Sequence, residues 1–521
     1  MMHHIHHYGV HLATPQADKT LVVVNHTPSL FSDFKKATSA RRYATIVLSL
    51  RCKMLDSVRS QIRSPVSLTP AMRISARGYC IPIYVGFIAL FSFTSSHSAA
   101  QTRDEMVRED RKKIMEEGFW IYNDLPKAFT KAKQSGKPLL VVLRCIPCHE
   151  CVKLDDELVD QDPVIRPLLD EFVCARQVST NGLDLELFQY DTDQSFAVFI
   201  LNADGTVYGR FGTRSHRTDW LGDVSLEGLA EALKGGLELH RNYPANRKRL
   251  AGKRGGKPEV ASPEKYPSLA DKFTDRLNYN GDVAKSCIHC HQIGDAQRAY
   301  YWNSGKQIPE KVLFPYPHPK TLGLILDPKQ RATVQSVLPE SIAARSGLRA
   351  GDIIHLIDGQ TPLSIADVQW VLHQTPAAGG NIPLSVKREN HILNLAFELP
   401  PAWRQRGDLS WRATSWAYRR MVTGGMKLTP LNADKRKQLN LGKKQMALQV
   451  QHLGQYNAHA AAKRAGLRKG DILVSYDGNA NLATESELFA HSLQHHKAGD
   501  KVSIVAIRGG KKREFTIPIQ P

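Results

Sequence analysis

The sequence predicts a multidomain chain of α/β and mainly-β class: an α/β/α sandwich, then a short cysteine-bearing segment, then two small β-barrel or sandwich modules. Three observations predict it. At 521 residues the chain is too long for one hydrophobic core, since single cores stop growing beyond ~250–300 residues. An unbroken apolar run, Leu139-Leu140-Val141-Val142-Leu143, leads at once into Cys145-Ile146-Pro147-Cys148, and a helical pattern resumes at Val152. A glycine-rich block, Gly347-Leu348-Arg349-Ala350-Gly351-Asp352-Ile353, returns as Gly466-Leu467-Arg468-Lys469-Gly470-Asp471-Ile472, and an internal repeat marks a duplicated unit.

The chain order follows from these. Residues 1–71 are rich in Ser, Thr, Arg and His without a clean hydrophobic period. A start codon placed too early explains them; a metal-binding arm of His3, His4, His6, His7 and His11 is the alternative. Residues 72–100 read as a cleavable signal peptide: a basic start at Met72-Arg73, an uncharged apolar run from Ile81 to Phe93, and small residues Ser98-Ala99-Ala100 before Gln101. The apolar run is short for a bilayer span of about 20 residues, so export to the periplasm or another extracytoplasmic space is expected over anchoring.

Residues 105–245 form the first folded unit. Charged Asp104–Glu117 is expected as a surface helix and Phe119–Lys133 as a second helix. Gly136-Lys137-Pro138 stops it, and strands follow at 139–143, 171–175, 196–201 and, after the Asp204-Gly205 turn, 206–208. A Cys at a helix N-terminus is favoured as thiolate by the backbone amides and dipole. This order, with Lys137-Pro138 before the strand, C-x-P-C after it and the later Asp-Gly hairpin, resembles the thioredoxin fold. The resemblance implies Cys145 as nucleophile and Cys148 as resolving thiol. The chain departs from the pattern in three places: Arg144 replaces the usual aromatic residue, Phe196 stands where a cis-proline faces the dithiol, and Cys151 adds a third thiol.

Residues 246–264 read as a solvated basic linker, with Arg247-Lys248-Arg249, Lys253-Arg254 and Gly255-Gly256. Residues 265–320 contain Cys287-Ile288-His289-Cys290-His291, the C-x-x-C-H pattern of c-type haem attachment. In that reading the thiols carry the porphyrin and His291 is the proximal iron ligand. No methionine lies between His291 and Met421, so His318 is the distal candidate. Zinc held by Cys287, Cys290, His291 and one further ligand, or a second redox dithiol without cofactor, are the alternatives.

Residues 321–400 and 425–521 are the repeated modules, joined by a Trp/Arg connector at 401–424 that is expected to pack between domains. G-L-x-x-G-D-I followed by Asp358-Gly359 or Asp477-Gly478, an Ala-rich turn before each block and an alternating hairpin after it resemble PDZ domains of the HtrA type. That resemblance implies peptide binding by strand addition, with the terminal carboxylate held by backbone amides. By position Leu322, Gly323 and Leu324 are the first carboxylate loop, with Val368 and Leu372 along its groove. Gly425, Met426, Lys427 and Leu428 are the second loop, with Leu488 and Leu493 as weaker groove candidates. HtrA proteins carry a serine protease domain; here no Gly-x-Ser-Gly-Gly occurs and Asn303-Ser304-Gly305 lacks its flanks, so protease activity is not expected.

The formal charge of +20 is diffuse. With no nucleic-acid module it implies solubility and a loose affinity for acidic surfaces such as a membrane, not nucleic-acid binding. The combined expectation is an exported thiol-redox or electron-transfer protein, possessing a dithiol and one haem c, that recruits protein or peptide clients and exchanges electrons with a redox partner protein. A non-catalytic envelope scaffold with a degenerate thioredoxin-like module is the alternative.

Overall fold

A computed structural model describes residues 102–144, 162–194, 196–212 and 224–521. The expected leader, Cys145, Cys148 and Cys151 lie outside these residues. Helix α1 (Arg103–Glu117) starts at a capping box between Thr102 and Glu105 and buries Val107 and Ile114, two turns apart on one face. The second helix, α2 (Leu125–Ser135), begins later than the apolar pattern implied. Asp124 accepts the Lys127 amide at 3.0 Å and caps it there. The residues before it instead form strand β1 (Ile121–Tyr122).

Strands β2 (Leu139–Arg144), β3 (Val173–Gln177), β4 (Phe196–Leu201) and β5 (Val207–Phe211) complete a five-stranded sheet in the order β1-β3-β2-β4-β5. β2 runs parallel to β3 and antiparallel to β4. Every residue of β2 and β4 is buried, which is why both read as continuous apolar runs. Helix α3 (Leu226–Arg241) covers the sheet, and Cys174 is packed inside that core.

Helix α4 (Cys290–Asn303) starts within the C-x-x-C-H motif. The first repeated module follows. It has a two-stranded ladder, β6 (Leu324–Leu326) with β7 (Val334–Val337), and a three-stranded sheet of β8 (Ile353–Ile357), β9 (Gly380–Arg388) and β10 (His391–Leu399). Helix α5 (Ile365–Gln374) lies between β8 and β9 in the chain. After helix α6 (Ser415–Thr423), the second module forms one antiparallel sheet in sequence order. Its strands are β11 (Met426–Pro430), β12 (Leu448–Leu453), β13 (Ile472–Tyr476), β14 (Lys501–Arg508) and β15 (Lys511–Pro518), with helix α7 (Glu485–His495) before β14.

The repeated Gly-Asp blocks are held identically. In the first, Asp352 accepts the Arg349 amide at 2.8 Å and the Arg388 guanidinium at 2.7 Å, while Arg388 also donates to the Gly347 carbonyl. In the second, Asp471, Arg468, Arg508 and Gly466 repeat these bonds. The aspartate therefore ties the loop to the hairpin that follows it.

The expected solvated linker is a correction. Leu250 and Lys253 are buried, and Lys253 Nζ meets Asp367 of α5 at 2.8 Å, both side chains sealed from solvent. Asp367 also accepts the Arg210 amide of β5 at 3.1 Å and the Leu363 amide at 2.9 Å. Arg210 donates to the Lys253 and Gln189 carbonyls and stacks on Trp370, whose indole donates to the Gly252 carbonyl. The basic segment is a strap between the first sheet and the first module, because its charges have buried partners there. The connector does pack between domains: Arg412 is buried on Asp191 and Asp193, and Arg404 donates to three main-chain carbonyls.

Removing Asp367 leaves Lys253 buried without its counter-charge. Asp367→Ala should destabilise the chain by about 3–5 kcal/mol, and Asp367→Leu combined with Lys253→Met by much less; denaturant unfolding of the single and double variants measures the difference. A pH effect follows from His373, half-buried and accepting the Tyr316 amide on Nδ1 at 3.2 Å. Burial, and then the nearby charge of Arg404, hold its pKa well below 6.5. The unfolded chain therefore binds the extra proton first, and stability contributed by neutral His373 is present above about pH 6.5 and lost as pH falls. His373→Asn should flatten that part of a melting-temperature profile between pH 7 and 5.

Candidate functional site

The C-x-x-C-H segment docks on the end of the first sheet where β2 and β3 finish. Ile288, wholly buried, is the anchor: its carbonyl accepts both the amide and the hydroxyl of Thr180, and its amide donates to Asn181 Oδ1 at 2.8 Å. Asn181 reaches the Thr274 and Ser286 carbonyls as well. From α1, Asp104 accepts the Ala284 amide and Arg108 donates to the Tyr279 and Gly281 carbonyls. A loop with no regular ladder thus has its main-chain groups paired by side chains of the first domain.

The two thiols differ. Cys287 is 5% exposed, with Sγ 3.8 Å from the Val178 carbonyl, and burial pushes its pKa up to about 12. Cys290 is half-buried at the first position of α4, and the Tyr190 hydroxyl donates to its Sγ at 3.0 Å. His289, preceding it, forms a capping box with Gln292. Burial, and then the His291 charge, lower the His289 pKa. The side chain of His291 is 45% exposed and lies 3.6 Å from Asp295. Burial works to raise the Asp295 carboxyl, but hydrogen bonding from His291 and the Arg298 charge hold it below its ordinary value.

Both thiols, with Arg144 at the end of β2, line a cavity of about 10 Å³, the room of one water. Arg144 is itself buried on Asp110 at 2.6 Å, and Cys145 is the next residue in the chain. A porphyrin bonded to Cys287 does not fit this packing. His318 lines a different cavity, of about 160 Å³, with Pro315, Arg404 and Arg412. The residues expected to hold haem are thus not brought together: Cys287 is sealed, and His318 lines the cavity beside the connector. Nor, among the described residues, does any group of three His, Cys, Asp or Glu side chains stand ready for a metal.

In the repeated modules the expected loop glycines have the backbone they need. Gly323 and Gly425 take φ of 75° and 88°, where a side chain is strained; a Cβ on Gly425 would stand 1.9 Å from the His459 carbonyl oxygen. Leu322, Leu324, Val368 and Leu372 are core residues of the first module, and Met426, Leu428, Leu488 and Leu493 of the second. Lys427 is half-buried on β11. The apolar side chains of the two loops and of the helix positions Val368, Leu372, Leu488 and Leu493 thus pack into the module cores.

At the second module the strand edge is already engaged. Glu485, at the start of α7, accepts the Leu428 amide at 2.7 Å and pairs with buried Arg419 at 2.6 Å. Thr423 donates to the Met426 carbonyl at 2.8 Å. In the first module the corresponding first residue of α5, after the capping Ser364, is Ile365, which has no carboxylate to offer. Sequence reasoning missed Glu485, Arg419 and Tyr190, because each acts on a residue more than 50 positions away.

Comparison with known proteins agrees on the modules. A thioredoxin-like family model matches residues 120–203, and PDZ domain models match 333–388 and 447–519. The chain is 24% identical over 155 residues to the periplasmic serine endoprotease DegP of Escherichia coli K12, covering 30% of this chain and 28% of that protein. The DegP of Salmonella typhimurium LT2 is 24% identical over 149 residues, 29% and 27% of the two chains. The chain thus spans under a third of these relatives. Among solved structures, the HtrA-type protease AlgW with tripeptide is 17% identical over 28% of this chain and 55% of that one, with a TM-score of 0.18. The chain contains a thioredoxin-like domain and two PDZ domains.

The Glu485 arrangement is testable. Glu485→Leu should cost about 3–5 kcal/mol, because Arg419 stays buried and unpaired. Adding Arg419→Met should recover most of that loss in the same denaturation measurement.

Proposed function

We propose that this chain is an extracytoplasmic thiol-redox protein that acts on protein clients held by its first PDZ domain. Cys145 is the nucleophile of the thioredoxin-like dithiol and Cys148 resolves the mixed disulfide. The observation that carries the reading is the buried weld between β5 and α5, made by Lys253, Asp367 and Arg210. It fixes a peptide-binding domain to a redox-type sheet without a flexible spacer, so a bound client segment keeps one position relative to the sheet. The turn after β6 is fastened too: Ser225 donates to the Pro328 carbonyl and Arg331 pairs with Glu238 of α3 at 2.7 Å.

Extended segments of clients pair with β6 in this reading, and Ile365 leaves that edge without the carboxylate seen at Glu485. The second PDZ domain, its strand edge satisfied from within, serves as a brace. The extracytoplasmic setting is supported by the expected signal at Met72 and by the likeness to a periplasmic protease over 155 residues.

Insulin reduction by the exported protein tests the redox half: Cys145→Ser should lose repeated turnover of insulin, and full retained turnover would leave the scaffold reading standing. For recruitment, peptides with free carboxyl termini selected on the wild-type chain should bind Ile365→Glu about tenfold more weakly or worse, a loss of ~1.4 kcal/mol. Unchanged affinity would remove β6 as the docking edge.

A further inference from the structure

We propose that Cys287 and Cys290 form a second thiol–disulfide exchange site, with Cys290 the attacking thiolate, Cys287 the resolving thiol and a protein disulfide as substrate. The inference does not depend on the role given to Cys145. It rests on an asymmetry that exchange chemistry requires and a static packing pair does not. The attacking sulfur must be reachable and stabilised as thiolate; the resolving sulfur must be held close and shielded from outside oxidants. Cys290 is half-buried, at the N-terminus of a 14-residue helix, with the Tyr190 hydroxyl donating to its sulfur at 3.0 Å. Both a hydroxyl donor and helix amides favour negative charge there. Cys287, three residues earlier, is sealed and lines the same small cavity.

The frame is rigid where exchange needs it. Ile288, between the thiols, is pinned by Thr180 and Asn181 on both its main-chain groups. This backbone clamp fixes the main chain between the two thiols against the first domain. Tyr190 comes from the first domain, so the site exists only when the segment is docked.

The chemistry balances. The Cys290 thiolate attacks one sulfur of the substrate disulfide; that S–S bond breaks and its other sulfur leaves as a thiolate, which takes a proton. Cys287 then gives up its proton and attacks Cys290 Sγ, breaking the mixed disulfide. The second substrate sulfur leaves and takes that proton. One substrate disulfide becomes two thiols, and the Cys287–Cys290 dithiol is oxidised to a disulfide by loss of two electrons. The substrate disulfide comes from a client protein or from the Cys145-Ile146-Pro147-Cys148 pair of the same chain.

The test uses the full exported chain with insulin as the disulfide probe. After equilibration in glutathione buffers and alkylation, peptide mapping should show a reversible Cys287–Cys290 disulfide. Cys287→Ser should trap a mixed disulfide at Cys290, and Cys290→Ser should trap none. An insulin adduct identifies a client disulfide as substrate; a cross-link from Cys290 to Cys145 or Cys148 identifies the internal one. Tyr190→Phe should slow trapping at neutral pH and move its pH profile upward, which a packing role alone would not do. If Cys287→Ser fails to fold, wild-type alkylation still decides, because Cys290 must react faster than Cys287. Equal trapping by both variants, no Cys287–Cys290 disulfide at any potential, or a Soret band surviving acid-acetone extraction would overturn the proposal. Loss of insulin turnover in Cys145→Ser with trapping at Cys290 intact separates this site from the first.

Discussion

The carboxylate of Asp367 sits where three segments meet, and much of the architecture depends on it. It neutralises Lys253 from the strap, accepts the Arg210 amide from β5 and accepts the Leu363 amide of its own module. β5 is an edge strand, and an uncovered edge invites pairing with other chains. Here the edge is closed by α5, and Gly209 is part of the fit: a Cβ there would stand 2.6 Å from Leu363 Cδ1. A buried ion pair is weak evidence of net stability, but its loss is severe. Its value here is geometric, since only one placement of the module satisfies all these groups.

The same device recurs. Arg412 is buried on Asp191 and Asp193 and donates to the Pro315 carbonyl, joining the connector to the first domain. Arg419 and Glu485 join α6 to α7 and satisfy a strand amide of β11. In each case a long cation from one segment is neutralised on another. The diffuse positive charge of the sequence therefore divides into solvated surface and a small set of buried clamps. The PDZ duplication has diverged through this device: one copy has Ile365 and the other Glu485 at the same helical position.

Strands β2 and β4 were legible because their runs are apolar without alternation, as strands buried on both faces must be, whereas the two-residue β1 fell inside an expected helix. The repeated Gly-Asp blocks were legible because they need left-handed backbone at fixed positions, which glycine supplies. The exposure of the C-x-x-C-H thiols was not legible: the motif states spacing only, and the burial of Cys287 comes from Val178, Ser179 and Thr180, over 100 positions away. The linker reading failed likewise, since composition cannot distinguish a solvated lysine from one whose partner lies 114 residues on.

What the sequence alone determined is the set of units: a thioredoxin-like domain, a cysteine segment and two PDZ domains. Each is specified by local signals, namely apolar period, turn glycines and helix caps. The tertiary structure decided how the units are used. It sealed Cys287 and left Cys290 half-buried under Tyr190, filled one PDZ edge with Glu485, and converted a basic linker into a strap. These outcomes depend on burial and on charges brought together from distant positions, and desolvation is a property of the assembled core that no single stretch of sequence contains.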